Sequence, residues 1–219
     1  NLRHSLDVDR YREAIREIRQ QAGEELIIQV TTEAVGIYST EQEMQAVIEL
    51  RPEAVSLAIR EISPSGVDER ESAAFYGFLR RERIAPQHTL YDEKDLLRLG
   101  ELLRRGVIPD ENVSVLLVLG RYTKNQQSKP ADLAPLLRQL PAVTHWSLCA
   151  FGATEAECMH EAIRRGGHCR VGFENNMFAA DGGLAADNAA LVRTTGQNAI
   201  ALKRDIASAD DARKMLGMC

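Results

Sequence analysis

Leu26-Ile27-Ile28-Gln29-Val30-Thr31-Thr32-Glu33-Ala34 decides the fold. Its apolar start, Leu26 to Val30, reads as a short buried strand. A doubly wound dinucleotide-binding sheet needs a Gly-rich turn directly after such a first strand, where backbone amides approach a pyrophosphate. Here the strand runs into Thr31-Thr32-Glu33-Ala34, which contains no glycine, so a closed barrel is favoured over an open Rossmann sheet. Upstream, Asp7 opens a helical pattern in which Tyr11, Ile15 and Ile18 recur at helix spacing before Ala22-Gly23 ends it. Downstream the same helix-then-strand unit repeats. Helices are expected near 40–50, 68–83, 92–106, 131–139 and 153–166, with strands at Ala54–Ile59, His88–Tyr91, Val113–Leu119, Trp146–Ala150 and Cys169–Phe173. Two final helices fall near 186–203 and 208–216.

Strict alternation of helices with apolar strands means a parallel β/α architecture. The expected fold is therefore α/β, a (β/α)8 TIM barrel forming a single domain over residues 1–219. The chain opens in a helix, so the barrel is expected to lack its first strand, first helix and second strand. No internal repeat, low-complexity tract or long Pro/Gly/Ser linker marks a domain boundary.

The composition narrows the classes of function. The net charge is -5 over 219 residues, with acids and bases mixed along the whole length, so no basic stripe exists to follow a phosphate backbone and no nucleic-acid partner is expected. No apolar run approaches the roughly 20 residues that cross a bilayer, and the segment Asn1–Arg10 is polar where a signal peptide would be apolar. A cytoplasmic protein without membrane association is expected. Cys149, Cys158, Cys169 and Cys219 form no C-x-x-C pair and are expected as reduced core thiols.

Parallel β/α folds gather chemistry at the C-terminal ends of their strands. The last strand reads Gly166-Gly167-His168-Cys169-Arg170-Val171-Gly172-Phe173-Glu174-Asn175-Asn176. Alternation puts His168, Arg170, Gly172 and Glu174 on one face and Cys169, Val171 and Phe173 on the other, packed under the helices. Arg170 and Glu174 would then point inward, where a charge must be paired, metal-bound or in contact with a ligand. A buried Arg170–Glu174 ion pair is the purely structural alternative. Thr31 and Thr32 place hydroxyls at another strand end, suited to a carboxylate or carbonyl oxygen but also ordinary strand residues. Ser56 shares a face with Ala54 and Ala58. Gln87, Thr89 and Tyr91 share a face and leave His88 on the opposite one, so His88 reads as packed or at a rim, as do His145 and His160.

The run Gly-Gly-His-x-Arg-Val-Gly-Phe-Glu-Asn-Asn at 166–176, with Asp181-Gly182, Leu184-Ala185, Asn188-Ala189 and Leu191-Val192 after it, resembles the C-terminal signature of the β-keto acid cleavage enzymes. Shorter matches follow in family order: Gln29 to Thr32, Arg51-Pro52-Glu53, Ser56-Leu57, Tyr91-Asp92, Leu119-Gly120, Trp146-Ser147, Ala212-Arg213 and Leu216-Gly217. The resemblance implies a zinc-dependent barrel enzyme that condenses a β-keto acid with acetyl-CoA, giving acetoacetate and a new acyl-CoA. It implies homo-oligomers, commonly tetramers. Carried over by motif, Glu174 is the Zn²⁺ carboxylate ligand, Arg170 and Asn175 are catalytic positions, and Thr31, Thr32 and Ser56 contact substrate. The family's remaining zinc ligands are a His-x-His pair, absent from this sequence and expected in the missing N-terminal segment. Asn175 stands where the family has Asp, and Glu33-Ala34, Ala58, Gln87 and Thr89 replace a glycine pair, an asparagine and acidic residues. These exchanges leave open a departure in substrate or in mechanism from the family's best-known member. Another metal-dependent barrel lyase or aldolase, or a barrel that has lost activity, are the alternatives.

Overall fold

Helices and parallel strands alternate along the chain. The computed structural model describes residues 4–109 and 112–218, which fall into two compact units. The first comprises the chain as far as Thr89, Arg98–Val113 and the residues from Ala207 on; the second comprises Leu90–Leu97 and Ser114–Ile206.

In the first unit, α1 (Val8–Ala22) precedes β1 (Gln29–Thr31) and α2 (Thr40–Leu50) precedes β2 (Ala54–Ala58). A short helix, α3 (Ile59–Ile62), and then α4 (Arg70–Glu82) lead to β3 (Ala85–Leu90). Capping fixes the helix starts. The Asp7 carboxylate accepts from the amides of Asp9 and Arg10, and Ser39 with Gln42 forms a reciprocal capping box at α2. β1 pairs with β2 and β2 with β3, all parallel, with Thr31 opposite Ser56 and Ser56 opposite Gln87.

Beyond α5 (Glu93–Arg104), the second unit runs β4 (Ser114–Leu119), α6 (Leu133–Gln139), β5 (His145–Ala150), α7 (Glu155–Arg164), β6 (His168–Cys169) and α8 (Asn188–Ala201). The last helix, α9 (Ala209–Met215), belongs to the first unit. β4 pairs with β5 over its whole length and β5 with β6, again parallel.

β2 and β4 are buried at every position. That is why both are apolar except at Ser56 and Ser114, as strands covered on two faces largely must be. α4 buries Phe75, Tyr76 and Leu79, and α7 buries Cys158, Met159, Ala162 and Ile163. Each spacing of three or four residues aligns one apolar stripe on the helix. A fully buried leucine such as Leu116 or Leu57 contributes about 1.5–3 kcal/mol relative to exposure. Cys149 and Cys158 are buried free thiols and Cys169 a half-buried one; Cys219 lies outside the described residues. No helix among the described residues is long and apolar enough to cross a membrane.

Several boundaries differ from the sequence expectation. β1 starts at Gln29 instead of Leu26, whose side chain is exposed. β2 stops at Ala58, because Ile59 and Ile62, three apart and both buried, form a helical turn. β3 starts at Ala85, three residues before the expected His88. β6 stops at Cys169, although the alternation suggests a strand as far as Phe173.

Candidate functional site

The early end of β6 shapes the signature segment. Arg170 still pairs like a strand residue, its amide donating to the Leu148 carbonyl at 2.8 Å. The chain then turns: the Gly172 carbonyl accepts from the amides of Asn175 (2.9 Å) and Asn176 (3.1 Å). Phe173 is exposed, and not packed under a helix as alternation would have it. The turn brings Glu174 back to Arg170, and the two form an ion pair. The pair is not buried, with the Arg170 and Glu174 side chains 36% and 60% exposed. Both side chains therefore stay in reach of solvent, which corrects the expectation of a buried, desolvated pair.

Asn175 is buried next to Glu174 in the chain, and its Nδ2 has no hydrogen-bond partner among the described residues. Its carbonyl accepts from the Gly152 amide at 3.1 Å. An amide N–H buried without an acceptor costs on the order of 1–3 kcal/mol. Cys149, at the end of β5, packs with Leu116, Val118, Phe151 and the half-buried Tyr91. Burial pushes its thiol up to about 12, far too high for a nucleophile at neutral pH.

In the first unit, Thr31 and Ser56 stand opposite each other on β1 and β2. The Ser56 hydroxyl shares a 3.0 Å hydrogen bond with the Thr89 hydroxyl of β3. Thr31 is exposed; its hydroxyl accepts from the Glu33 amide at 3.3 Å, and its carbonyl accepts from the Tyr11 hydroxyl at 2.6 Å. Thr32 points elsewhere, buried beside Glu43 of α2, with its Oγ1 in no well-formed hydrogen bond. Of the three hydroxyls, Thr31 and Ser56 are thus adjacent in register and Thr32 faces away. His88 is buried against the Tyr76 ring, centroids 5.5 Å apart, and burial lowers it to about 4, so it is neutral at pH 7. His145 meets His168 edge-on at 5.8 Å, and His160 is exposed on α7.

A family model for β-keto acid cleavage enzymes matches residues 1–218. The chain belongs to the β-keto acid cleavage enzyme family. It is 28% identical over 217 residues to a 3-keto-5-aminohexanoate cleavage enzyme of Fusobacterium nucleatum, an alignment covering 97% of this chain and 78% of that protein. It is 26% identical over 224 residues to a 3-oxoadipate:acetyl-CoA acetyltransferase of Cupriavidus necator, covering 98% and 76%. A 3,5-dioxohexanoate:acetyl-CoA acetone transferase of Paraburkholderia graminis is 30% identical over 132 residues, 58% of this chain and 41% of that one. As a β-keto acid cleavage enzyme, the protein is a carbon–carbon-cleaving, acyl-transferring enzyme.

The zinc implied by the family signature finds an incomplete donor set in this β-keto acid cleavage enzyme. Among the described residues no three His, Cys, Asp or Glu side chains group so as to hold a metal ion. Glu174 is a single carboxylate donor, engaged by Arg170. The described side chains do not by themselves make a zinc site.

Two buried carboxylates lie on apolar helix faces, where neither motif nor spacing points to function. Glu43 sits among Met44, Ala46 and Val47 of α2, and Glu155 opens α7. Burial raises Glu43 to about 7, the Thr32 hydroxyl pulling it back and Glu61 adding to the rise. Burial likewise raises Glu155 to about 7, against the pull of Asn176 and the Gly172 amide. A carboxyl raised from its usual 4.5 favours the folded state in its protonated form, so stability falls as pH climbs from about 4.5 to 7 and levels off above. Each such group contributes up to about 1.4 kcal/mol per pH unit within that window. Glu43→Gln is expected to remove about half of the decline, leaving the variant about 1–3 kcal/mol more stable than wild type at pH 8 and equal to it at pH 4.5. Thermal melts across pH 4–8 measure this; parallel profiles for the two proteins would show that Glu43 ionises normally.

Proposed function

We propose that this enzyme exchanges acyl groups between a β-keto acid and acetyl-CoA. The carbon–carbon bond between C2 and C3 of the keto acid breaks, and C2 with its carboxylate joins the acetyl group to give acetoacetate. The released acyl group leaves as the new CoA thioester. Acetyl-CoA is the co-substrate. The observation that carries this reading is the family match over residues 1–218, within which the signature loop carries the part-exposed Arg170 and, at Asn175, a buried amide donor with no partner among the described residues.

Arg170 is assigned to the substrate's carboxylate, which its planar fork can grip through two parallel hydrogen bonds. Asn175 Nδ2 is assigned as a donor to a substrate oxygen that gains negative charge during bond cleavage. It cannot act as a base, because an amide has no proton-accepting site in the useful range. The hydroxyls of Thr31 and Ser56, opposite each other on β1 and β2, are assigned to substrate binding; Thr32, turned toward Glu43, is not. The fold is taken to be a (β/α)8 barrel, supported by the parallel strands that follow one another in chain order within each unit. Were Zn²⁺ bound, Glu174 would be one carboxylate ligand to it, and the metal would supply charge stabilisation at a keto oxygen.

The test is to incubate the purified protein with acetyl-CoA and a panel of β-keto acids bearing cationic, anionic and neutral side chains, following CoA esters by mass spectrometry. Acetoacetate and a matching acyl-CoA should form in equal amounts for at least one side-chain class, and elemental analysis should find about one zinc per chain, lost in Glu174→Gln. Keto acid cleavage that proceeds without acetyl-CoA would overturn the acyl-exchange reading in favour of an aldolase or decarboxylase.

A further inference from the structure

We propose that Glu155 is a positioning residue that latches the Gly172–Asn176 turn, and through it sets where Arg170, Glu174 and Asn175 are held. The turn is fastened by side chains and backbone of the same unit at three points. Glu155 Oε1 accepts from the Gly172 amide at 3.4 Å, and its Oε2 accepts from Asn176 Nδ2 at 3.3 Å. Asn188, which opens α8, accepts from the Phe173 amide at 2.8 Å. The Gly152 amide donates to the Asn175 carbonyl.

Glu155 joins two of these fastenings. Its own amide donates to the Gly152 carbonyl at 3.1 Å, so the start of α7, the loop before it and the signature turn share one hydrogen-bonded knot. Asn176 extends the knot, donating from Nδ2 to the Phe178 carbonyl (2.7 Å) and accepting at Oδ1 from the Phe178 amide (2.9 Å). Glu155 grips both ends of the turn with a two-oxygen group, clamping Gly172 and Asn176 on either side of Glu174. A turn whose strand has already ended at Cys169 has no ladder to hold it, and these side-chain bonds replace one. Keeping an ionisable group 2% exposed is costly unless its oxygens are occupied. Both are, and both by the signature segment.

The structural part of the proposal stands on these contacts, and its catalytic consequence rests on the acyl-exchange reading. The experiment is hydrogen–deuterium exchange by mass spectrometry on the intact protein, comparing wild type, Glu155→Gln and Asn176→Ala. Glutamine keeps the size of the side chain and turns one acceptor into a donor facing a donor. Amide exchange across residues 172–178 should speed up about fivefold to tenfold in each variant, while β4 and β5 exchange as in wild type. Asn176→Ala leaves the α7 stripe intact, so it decides the question should Glu155→Gln fold poorly. Unchanged exchange in the turn, or acceleration spread evenly over β4, β5 and α7, would overturn the latch. In turnover assays Glu155→Gln should lower kcat by about 10–100-fold with little change in KM for acetyl-CoA; a normal kcat with a loosened turn would overturn its positioning role. A wild-type enzyme without acyl exchange would sink the functional reading instead, leaving the exchange data to judge Glu155.

Discussion

Arg170→Ala is expected to cut kcat/KM for acyl exchange by about 10²–10³-fold while leaving the melting temperature nearly unchanged. The two halves of this expectation come from different features. Arg170 carries the only guanidinium of the signature run 166–176, anchored by its own backbone to Leu148 and turned toward Glu174. If it grips the substrate's carboxylate, its loss removes a charge-assisted, two-pronged contact that no neighbour in the run supplies. Stability hardly depends on it, because a pair as exposed as Arg170–Glu174 contributes at most about 1 kcal/mol. Arg170→Lys sharpens the test: it keeps the charge but loses the planar fork, and should recover only part of the lost rate. Steady-state kinetics with the best β-keto acid provide the measurement. An Arg170→Ala enzyme keeping more than a tenth of wild-type kcat/KM would remove Arg170 from the reaction.

Much of this arrangement is legible in the sequence, for reasons that also explain where legibility ends. The alternation of periods predicts the described helices other than α3, and five of the six described strands, to within a few residues, because these strands are apolar runs and these helices carry a stripe. β6 is the exception. Its residues alternate as a strand should, but the Gly172 carbonyl captures the amides of Asn175 and Asn176, and no periodicity reports a turn stabilised from outside the segment. The same limit hides Glu155. Its bonds to Gly172 and Asn176 span 17 and 21 residues, and only one sign of them exists in the sequence: a carboxylate on the stripe that also carries Cys158, Met159 and Ala162. Glu43, amid Met44 and Val47, gives that sign a second time. A charged residue on an otherwise apolar helix face is the signal that would have found both. Thr32 shows a different limit. Adjacent strand residues face opposite ways, so Thr31 and Thr32 could not both share the face of Ser56, and the structure turns Thr32 toward Glu43.

Gly167→Ala is expected to be the most destabilising single-methyl change in the signature. A β-carbon at Gly167 would lie 2.2 Å from two ring carbons of Trp146 and 2.6 Å from a third, well inside any tolerable contact. Trp146 is held in β5, opposite Val115 of β4, so its indole cannot retreat without disturbing the strand pairing. The Gly167 carbonyl also accepts from the Arg204 guanidinium, which ties the segment beyond α8 to the same point. Overpacking of this kind costs about 1–3 kcal/mol, which for a chain of this size lowers Tm by roughly 3–10 °C. Its neighbour supplies the control. Gly166 has φ +87° and an added methyl there would meet nothing within 4 Å, so Gly166→Ala suffers backbone strain alone, about 1 kcal/mol. The glycine pair of the signature thus has two separate causes, a left-handed helix end at the first and a flat indole against the second. Reducing the ring should relieve only the second: Trp146→Leu combined with Gly167→Ala is expected to be less destabilised than the sum of the two single changes. Strict additivity in that double-mutant cycle, read from denaturation midpoints, would show that the indole is not what excludes a side chain at Gly167.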